Sequence, residues 1–183
     1  MDKFPEIKTS RLILAKVSFN DIPKIVEYAS NKKIADTTLN IPHPYEEKDA
    51  VFWINAANQG FEDKSQFTFG IKIKISGEFI GGIGLKINKK FNRAELGYWI
   101  GQPFWNMGYA TEAMEAILKF GFLELNLNKI YATHLEENIA SGKVMLKNGM
   151  IKEGELKEHT KKGECYKNLI QYRLTKEEFE NKS

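Results

Sequence analysis

Cysteine is nearly missing from this chain, with one residue, Cys165, among 183. No disulfide can form within it, and a chain of this length folds without a covalent or metal staple. Histidine is almost as scarce, at three residues, and no histidine or cysteine cluster has the spacing of a metal site. Long hydrophobic runs are absent too. The longest unbroken run of apolar residues and glycine goes from Phe79 to Leu85, far short of a membrane span. No sign of charge dominates, since 27 basic and 24 acidic side chains are interleaved and leave a net charge of +3. Nucleic-acid binding calls for a basic stripe or arm, and the isolated pairs Lys89-Lys90 and Lys161-Lys162 read as solvated surface. The opening residues Met1 to Glu6 have no leader character. A reducing cytoplasm is therefore expected, with no membrane and no direct nucleic-acid partner.

What is present is ample apolar content, 42% of the chain, with no repeat, linker or low-complexity tract. One domain over residues 1–183 is expected. Ser10 to Lys16 reads as a first strand, and a helix follows with Asn20 as its N-cap and Pro23 in the first turn. Asp49 to Ala57 reads as a helix whose apolar face is Val51, Phe52, Ile54 and Ala57. Phe67, Phe69, Ile71, Ile73 and Ile75 alternate with polar or small residues, the pattern of a half-buried antiparallel strand. Ser76-Gly77 turns the chain into a partner strand, Phe79 to Ile87, and Ala94 to Ile100 adds a third.

The period then changes. Ala113, Met114, Ile117, Leu118, Gly121, Phe122 and Leu125 form the stripe of a helix packed on a sheet. Lys129 to Leu135 is a strand, and Asn138 caps a short helix that stops at Asn148-Gly149. Met150 to Lys157 and Tyr166 to Leu174 are the last strands, and Thr175 with Glu178 forms a capping box. The sum is a mixed α/β sheet of about seven strands with helices packed on it.

Chemistry concentrates between Glu95 and Ala113. A strand ends, a loop turns, and a helix starts at Gly108-Tyr109-Ala110-Thr111. The first N–H groups of a helix have no partner within it, and small residues at 108 and 110 let an anion approach them. No Gly-Lys-Ser/Thr follows a glycine loop, so a P-loop is excluded. Gly82-Ile83-Gly84 lacks a third glycine at position 87 and opens a strand, so the dinucleotide fingerprint fails.

Gly97-Tyr98-Trp99-Ile100 and Trp105-Asn106-Met107-Gly108-Tyr109-Ala110-Thr111-Glu112-Ala113 together resemble the acetyl-CoA signature of the GNAT superfamily. The likeness is greatest to the RimJ/RimL-like branch, which acetylates ribosomal-protein N-termini. Trp105 departs from the general Gln/Arg-x-x-Gly-x-Gly/Ala pattern in a way that is common in that branch. Thr9 to Leu14, Asn138 to Ser141 and Lys147 to Met150 agree in order, so the resemblance covers nearly the whole chain. It implies a GNAT fold, α/β with a mostly antiparallel sheet and helices on both faces. It implies acetyl-CoA as co-substrate, with no metal. It also implies that the backbones of Trp99 and Ile100 hold the pantetheine and that the amides of Met107, Gly108, Tyr109, Ala110 and Thr111 hold the pyrophosphate. Asn138 and Ser141 would then face the thioester. Gly142, inside that helix, fits either close approach of the cofactor or helix packing.

Acetyl transfer needs a neutral amine. A lysine amine is neutral in about one molecule in 2,500 at pH 7, and an α-amine in roughly one in ten. Glu95 is the leading base, with Glu136 and Glu137 as alternatives. Ser141 is the candidate proton donor to sulfur. His134 reads as a packing residue, and Cys165 has no histidine partner for covalent chemistry. The acceptor pocket should draw on residues 30–60 and 155–168, where Tyr45, Trp53 and Phe61 are candidates and Trp53 also suits the core. The favoured acceptor is a protein N-terminal α-amine. A polyamine, an aminoglycoside-like drug and a non-catalytic CoA-binding role stay open, as does a homodimer.

Overall fold

The computed structural model describes residues 3–181. Eight strands form one sheet in the order β1-β2-β3-β4-β5-β6-β8-β7, one more than expected. The addition is β1 (Ile7–Lys8), two residues pairing with β2 (Leu12–Lys16), too short to leave a periodic signal. The others are β3 (Gln66–Ile73), β4 (Phe79–Asn88), β5 (Arg93–Ile100), β6 (Lys129–Leu135), β7 (Ile151–Lys162) and β8 (Cys165–Thr175). All neighbours run antiparallel except β5 and β6, which are parallel and joined through α4 (Tyr109–Lys119).

The helices on one face are α1 (Ile22–Ala29) and α3 (Glu47–Glu62), with the short α2 (Lys32–Thr37) beside them. Asn20 does not cap α1. Ser18 and Asp21 form a capping box around the tight turn Phe19–Asp21, and α1 continues from it with Pro23 in its first turn. The sequence reading missed α2; Asn31 caps it by accepting from the Lys33 N–H at 3.0 Å. Helix α3 begins earlier than expected because Glu46 caps it, its N–H donating to Asp49 at 2.8 Å. Its buried stripe is Ala50, Ile54 and Ala57, and Phe52 points away at 75% exposure. The opposite face carries α4 and α5 (Ile139–Lys147), and α6 (Lys176–Glu180) follows β8 behind its expected capping box.

Strand β3 departs from the half-buried expectation. Thr68 and Gly70, the supposed solvent face, are buried along with Phe67, Phe69 and Ile71. A Cβ at Gly70 would press on Val17 and Phe79 at 3.1–3.2 Å, so the small residues are cut to fit a layer packed above them. Ile75 lies past the strand end and is 99% exposed.

The feature that positions the site is a divergence. Strands β5 and β6 pair from Arg93↔Lys129 to Leu96↔Ala132 and no further, although β5 runs on to Ile100 and β6 to Leu135. On β5, Ala94, Leu96 and Ile100 point into the core beneath α4. Alternation sends Glu95 to the opposite face with Trp99.

Candidate active site

The divergence opens beside the turn that starts α4. Gly108 is its N-cap with φ +80°, the left-handed conformation that glycine adopts freely, and Asn106 two residues earlier has φ +62°. The first helical hydrogen bond runs from the Glu112 N–H to the Gly108 carbonyl at 3.1 Å. The amides of Tyr109, Ala110 and Thr111 precede it and have no acceptor within the helix.

This turn is tied to the N-terminal edge of the sheet. The Glu112 carboxylate accepts from Thr9 Oγ1 at 2.6 Å, Ser10 Oγ at 2.9 Å, the Arg11 N–H at 2.8 Å and Arg11 Nε at 2.6 Å. Burial alone would raise its pKa, but these donors prevail and hold it down to about 2. Arg11 also donates to the Met107 carbonyl at 2.9 Å and lies over the Tyr109 ring at 4.6 Å. Its remaining nitrogen, Nη2, sits 3.3 Å from where a Cβ on Gly108 would stand. An anion at this turn would therefore meet free amides, a helix dipole and a guanidinium edge together.

In the gap, backbone polarity follows strand alternation. The Gly101 N–H donates to Ile80 of β4 at 2.8 Å. Trp99 therefore also turns its backbone groups toward β4, and those of Tyr98 and Ile100 face the gap. Of the pair expected to meet a pantetheine, Ile100 faces it and Trp99 does not. The Ile100 carbonyl is already taken by Trp105 Nε1 at 2.6 Å.

Ser141 lies across the gap on α5, 8% exposed, its hydroxyl 2.9 Å from the Tyr98 hydroxyl. Burial pushes the Tyr98 phenol up to about 12, only partly offset by the hydrogen bond with Ser141, so it stays protonated at neutral pH. Both arms of the Asn138 side chain are engaged. Its Oδ1 accepts from the Ser141 N–H at 3.3 Å, and its Nδ2 donates to the Thr37 carbonyl of α2 at 3.0 Å. Asn138 thereby fixes the start of α5 against the end of α2. Packing explains Gly142, because a Cβ there would stand 2.8 Å from His134 Nε2 and 3.2 Å from the Tyr172 hydroxyl. His134 is buried and stacked on Tyr172 with centroids 5.7 Å apart.

On the other face, Glu95 lines an open cleft of about 490 Å³ with Arg93, Lys129, Tyr131, His159 and Leu39 among its walls. Residues 155–168 reach it through Leu156, His159 and Thr160. Tyr45, Trp53 and Phe61 do not line it. Tyr45 and Trp53 join the cluster under α1 and α3, with Trp53 against Trp99 at 6.3 Å, and Phe61 meets Phe4 and Phe67 edge-on. Glu136 and Glu137 stand outside the cleft walls. Glu136 accepts from Asn168 at 3.1 Å, and Glu137 pairs with Lys167, which holds its pKa low. Cys165 is exposed at the β7–β8 turn, and no group of metal-ligating side chains forms among the described residues. No helix among them is long and apolar enough to cross a membrane.

Residues 11–151 match the acetyltransferase (GNAT) domain profile. The chain belongs to the GNAT acetyltransferases. It is 33% identical over 174 residues to the uncharacterised N-acetyltransferase YnaD of Bacillus subtilis, covering 94% of this chain and 98% of YnaD. The crystal structure of a GNAT-family acetyltransferase from Bacillus anthracis superposes with a TM-score of 0.83 at 29% identity, covering 94% and 99% of the two chains. Mycobacterium smegmatis RimJ, solved in complex with CoA-disulfide, gives a TM-score of 0.87 at 20% identity, with 96% and 89% covered. The GNAT frame accounts for the parallel β5–β6 pair and the helix start beside it. Within this GNAT chain, Tyr98, Arg11 and Glu112 escaped the sequence reading as interacting groups. Both halves of the Thr9–Arg11–Glu112 knot lay in motif segments, but nothing in the sequence says that positions about a hundred apart will meet.

Proposed function

We propose that this enzyme transfers acetyl from acetyl-CoA to a primary amine, with a protein N-terminal α-amine as the favoured acceptor. The observation that carries this reading is the β5–β6 divergence. It lies between an anion-receptive turn and the Tyr98–Ser141 hydroxyl pair, and Glu95 stands on the opposite face. The free amides of Gly108 to Thr111, with Arg11 beside them, suit a pyrophosphate. The Tyr98 backbone and the Ile100 N–H suit the amides of a pantetheine arm, and acetyl-CoA supplies the thioester.

In this arrangement Glu95 takes a proton from the amine as its nitrogen attacks the thioester carbon. As the carbon–sulfur bond breaks, the Ser141 hydroxyl donates to the departing sulfur, and Tyr98 returns a proton to Ser141. One proton is removed at Glu95 and one delivered at sulfur; solvent then takes the proton from Glu95 and returns one to Tyr98, so the cycle closes. A serine backed by a phenol of high pKa is a modest acid. A thiol pKa of about 8.5 asks for no stronger one. Mild groups of this kind suit an α-amine, which is partly neutral at pH 7.

The first test is calorimetry with acetyl-CoA. Gly108→Val should lose about tenfold or more in affinity by crowding the turn. Gly108→Asn tolerates positive φ and keeps the turn's conformation, so it separates obstruction from backbone strain. Wild-type affinity in a folded Gly108→Val chain would remove the turn from the cofactor site. Thiol release measured with free and N-blocked peptides, spermidine and an aminoglycoside tests the acceptor. A preference of about tenfold for any of the last three over the free peptide would overturn the α-amine reading.

A further inference from the structure

We propose that the acceptor bears an anionic group, a carboxylate or a phosphate, about 7 Å from the amine that is acetylated, and that Arg93 binds it. This rests on the acetyl-acceptor reading of the Glu95 cleft and names the substrate class.

Arg93 and Glu95 lie on the same face of β5, two residues apart, and so about 7 Å apart along the strand. Neither has an ion-pair partner among the described residues, and they do not pair with each other. The Arg93 guanidinium lies against two rings, with its Cζ 5.2 Å from the centroid of Phe91 and 5.6 Å from that of Tyr131. Its Nε is buried and meets no hydrogen-bond acceptor among the described residues. Leaving a charged donor unmet is unfavourable, and an oxyanion that reached the guanidinium would relieve it. The other long cation of the cleft, Lys129, is already satisfied by Glu153 at 2.6 Å. Arg93 is thus a cation in the cleft wall with its fork open.

The order along β5 gives the ligand its polarity. From the divergence at Gly97 inward come Glu95 and then Arg93. An amine beside Glu95 stands next to the gap through which the thioester is presented, and a group about 7 Å farther in reaches Arg93. A planar guanidinium matches a carboxylate or phosphate with two parallel hydrogen bonds. Tyr131 sits within the field of both charges: burial raises its pKa most, Glu95 adds to the rise and Arg93 opposes it. Glu95 is the one carboxylate among the cleft-lining residues, with Arg93, Lys129 and His159 around it. With Lys129 neutralised, the wall offers a carboxylate and an open guanidinium about 7 Å apart, which favours an amine with an acidic neighbour.

The test uses C-terminally amidated Ala-Glu-Ala, Ala-Gln-Ala and Ala-Lys-Ala, and a phosphoserine peptide of the same length, with the full chain. In the wild type, kcat/KM should be about tenfold or more higher for the glutamate or phosphoserine peptide than for the glutamine peptide, and lowest for lysine. The better of the two acidic peptides identifies the anion. Arg93→Met keeps contact with the rings and should bring the acidic and glutamine peptides within about threefold; R93E should favour the lysine peptide. Calorimetry of the same peptides with CoA present reads recognition without turnover. If no peptide is acetylated yet the acidic one still binds about tenfold more tightly through Arg93, the acetyl-acceptor reading fails and the anion site stands. Equal binding of acidic and neutral peptides, or a preference that survives Arg93→Met, overturns the proposal.

Discussion

The two halves of the sheet are built to different rules. In β3 and β4 successive residues are buried, Phe67 to Ile71 and Phe79 to Ile83, because α1 and α3 cover one face and α4 the other. In β6 burial alternates, and β7 is almost wholly exposed. There α5 covers one face, while the other, bearing Arg93, Glu95, Lys129 and Tyr131, has no helix over it and forms the cleft wall. A strand buried on both faces has only backbone to spare for chemistry. A strand buried on one can hold charges at the other with much less desolvation. β5 lies on the border, and its inner face builds the core as its outer face holds Glu95.

The sharpest break in this comparison is Glu95→Gln. On the bare face it should leave stability nearly unchanged and lower kcat by about 10²–10⁴-fold, with far less change in the KM for acetyl-CoA. A loss under about threefold, measured with a verified acceptor, would move the base to water or another carboxylate. The opposite break is Phe69→Ala in the doubly covered half. Phe69 is fully buried and meets Phe4 and Phe120 edge-on at 4.9 and 5.6 Å. Its truncation should cost about 3–5 kcal/mol in denaturant unfolding, with kcat of the surviving folded fraction close to wild type. A comparable kcat loss would mean that the halves are not separable.

The smallest effect concerns the knot at the border. Glu112→Gln should destabilise by about 1–2 kcal/mol at neutral pH, a value discounted for the half-exposed Arg11. Glu112 has its carboxyl lowered to about 2, so its contribution is full above about 4.5 and fades as pH falls toward 2. Unfolding curves of the two proteins should therefore converge between those values. A gap that persists at pH 2 would assign the loss to shape instead of charge.

The legible parts were those with a local cause. The stripe from Ala113 to Leu118 and the alternation of Lys129 to Leu135 declared α4 and β6 because a helix or strand buried on one face repeats a period. The Gly108 turn was legible because small residues at 108 and 110 mark a helix start open to an anion, and the structure adds the positive φ of Gly108. Strand β3 misled for the same reason in reverse: Thr68 and Gly70 look like a solvent face, and only the layer packed above shows otherwise.

The sequence by itself thus determined the family likeness, most elements, the helix start at Gly108 and the presence of Glu95 on the strand before it. The tertiary structure decided everything that depends on distance across the chain. It placed Glu112 among Thr9, Ser10 and Arg11, joined Tyr98 to Ser141, and gave Gly142 its cause in His134. It left Arg93 Nε without an acceptor among the described residues, near a carboxylate that it does not bond. Local periodicity follows from which face a residue turns inward. Which groups meet across a sheet follows from strand order and register, and these are fixed only when the whole core closes.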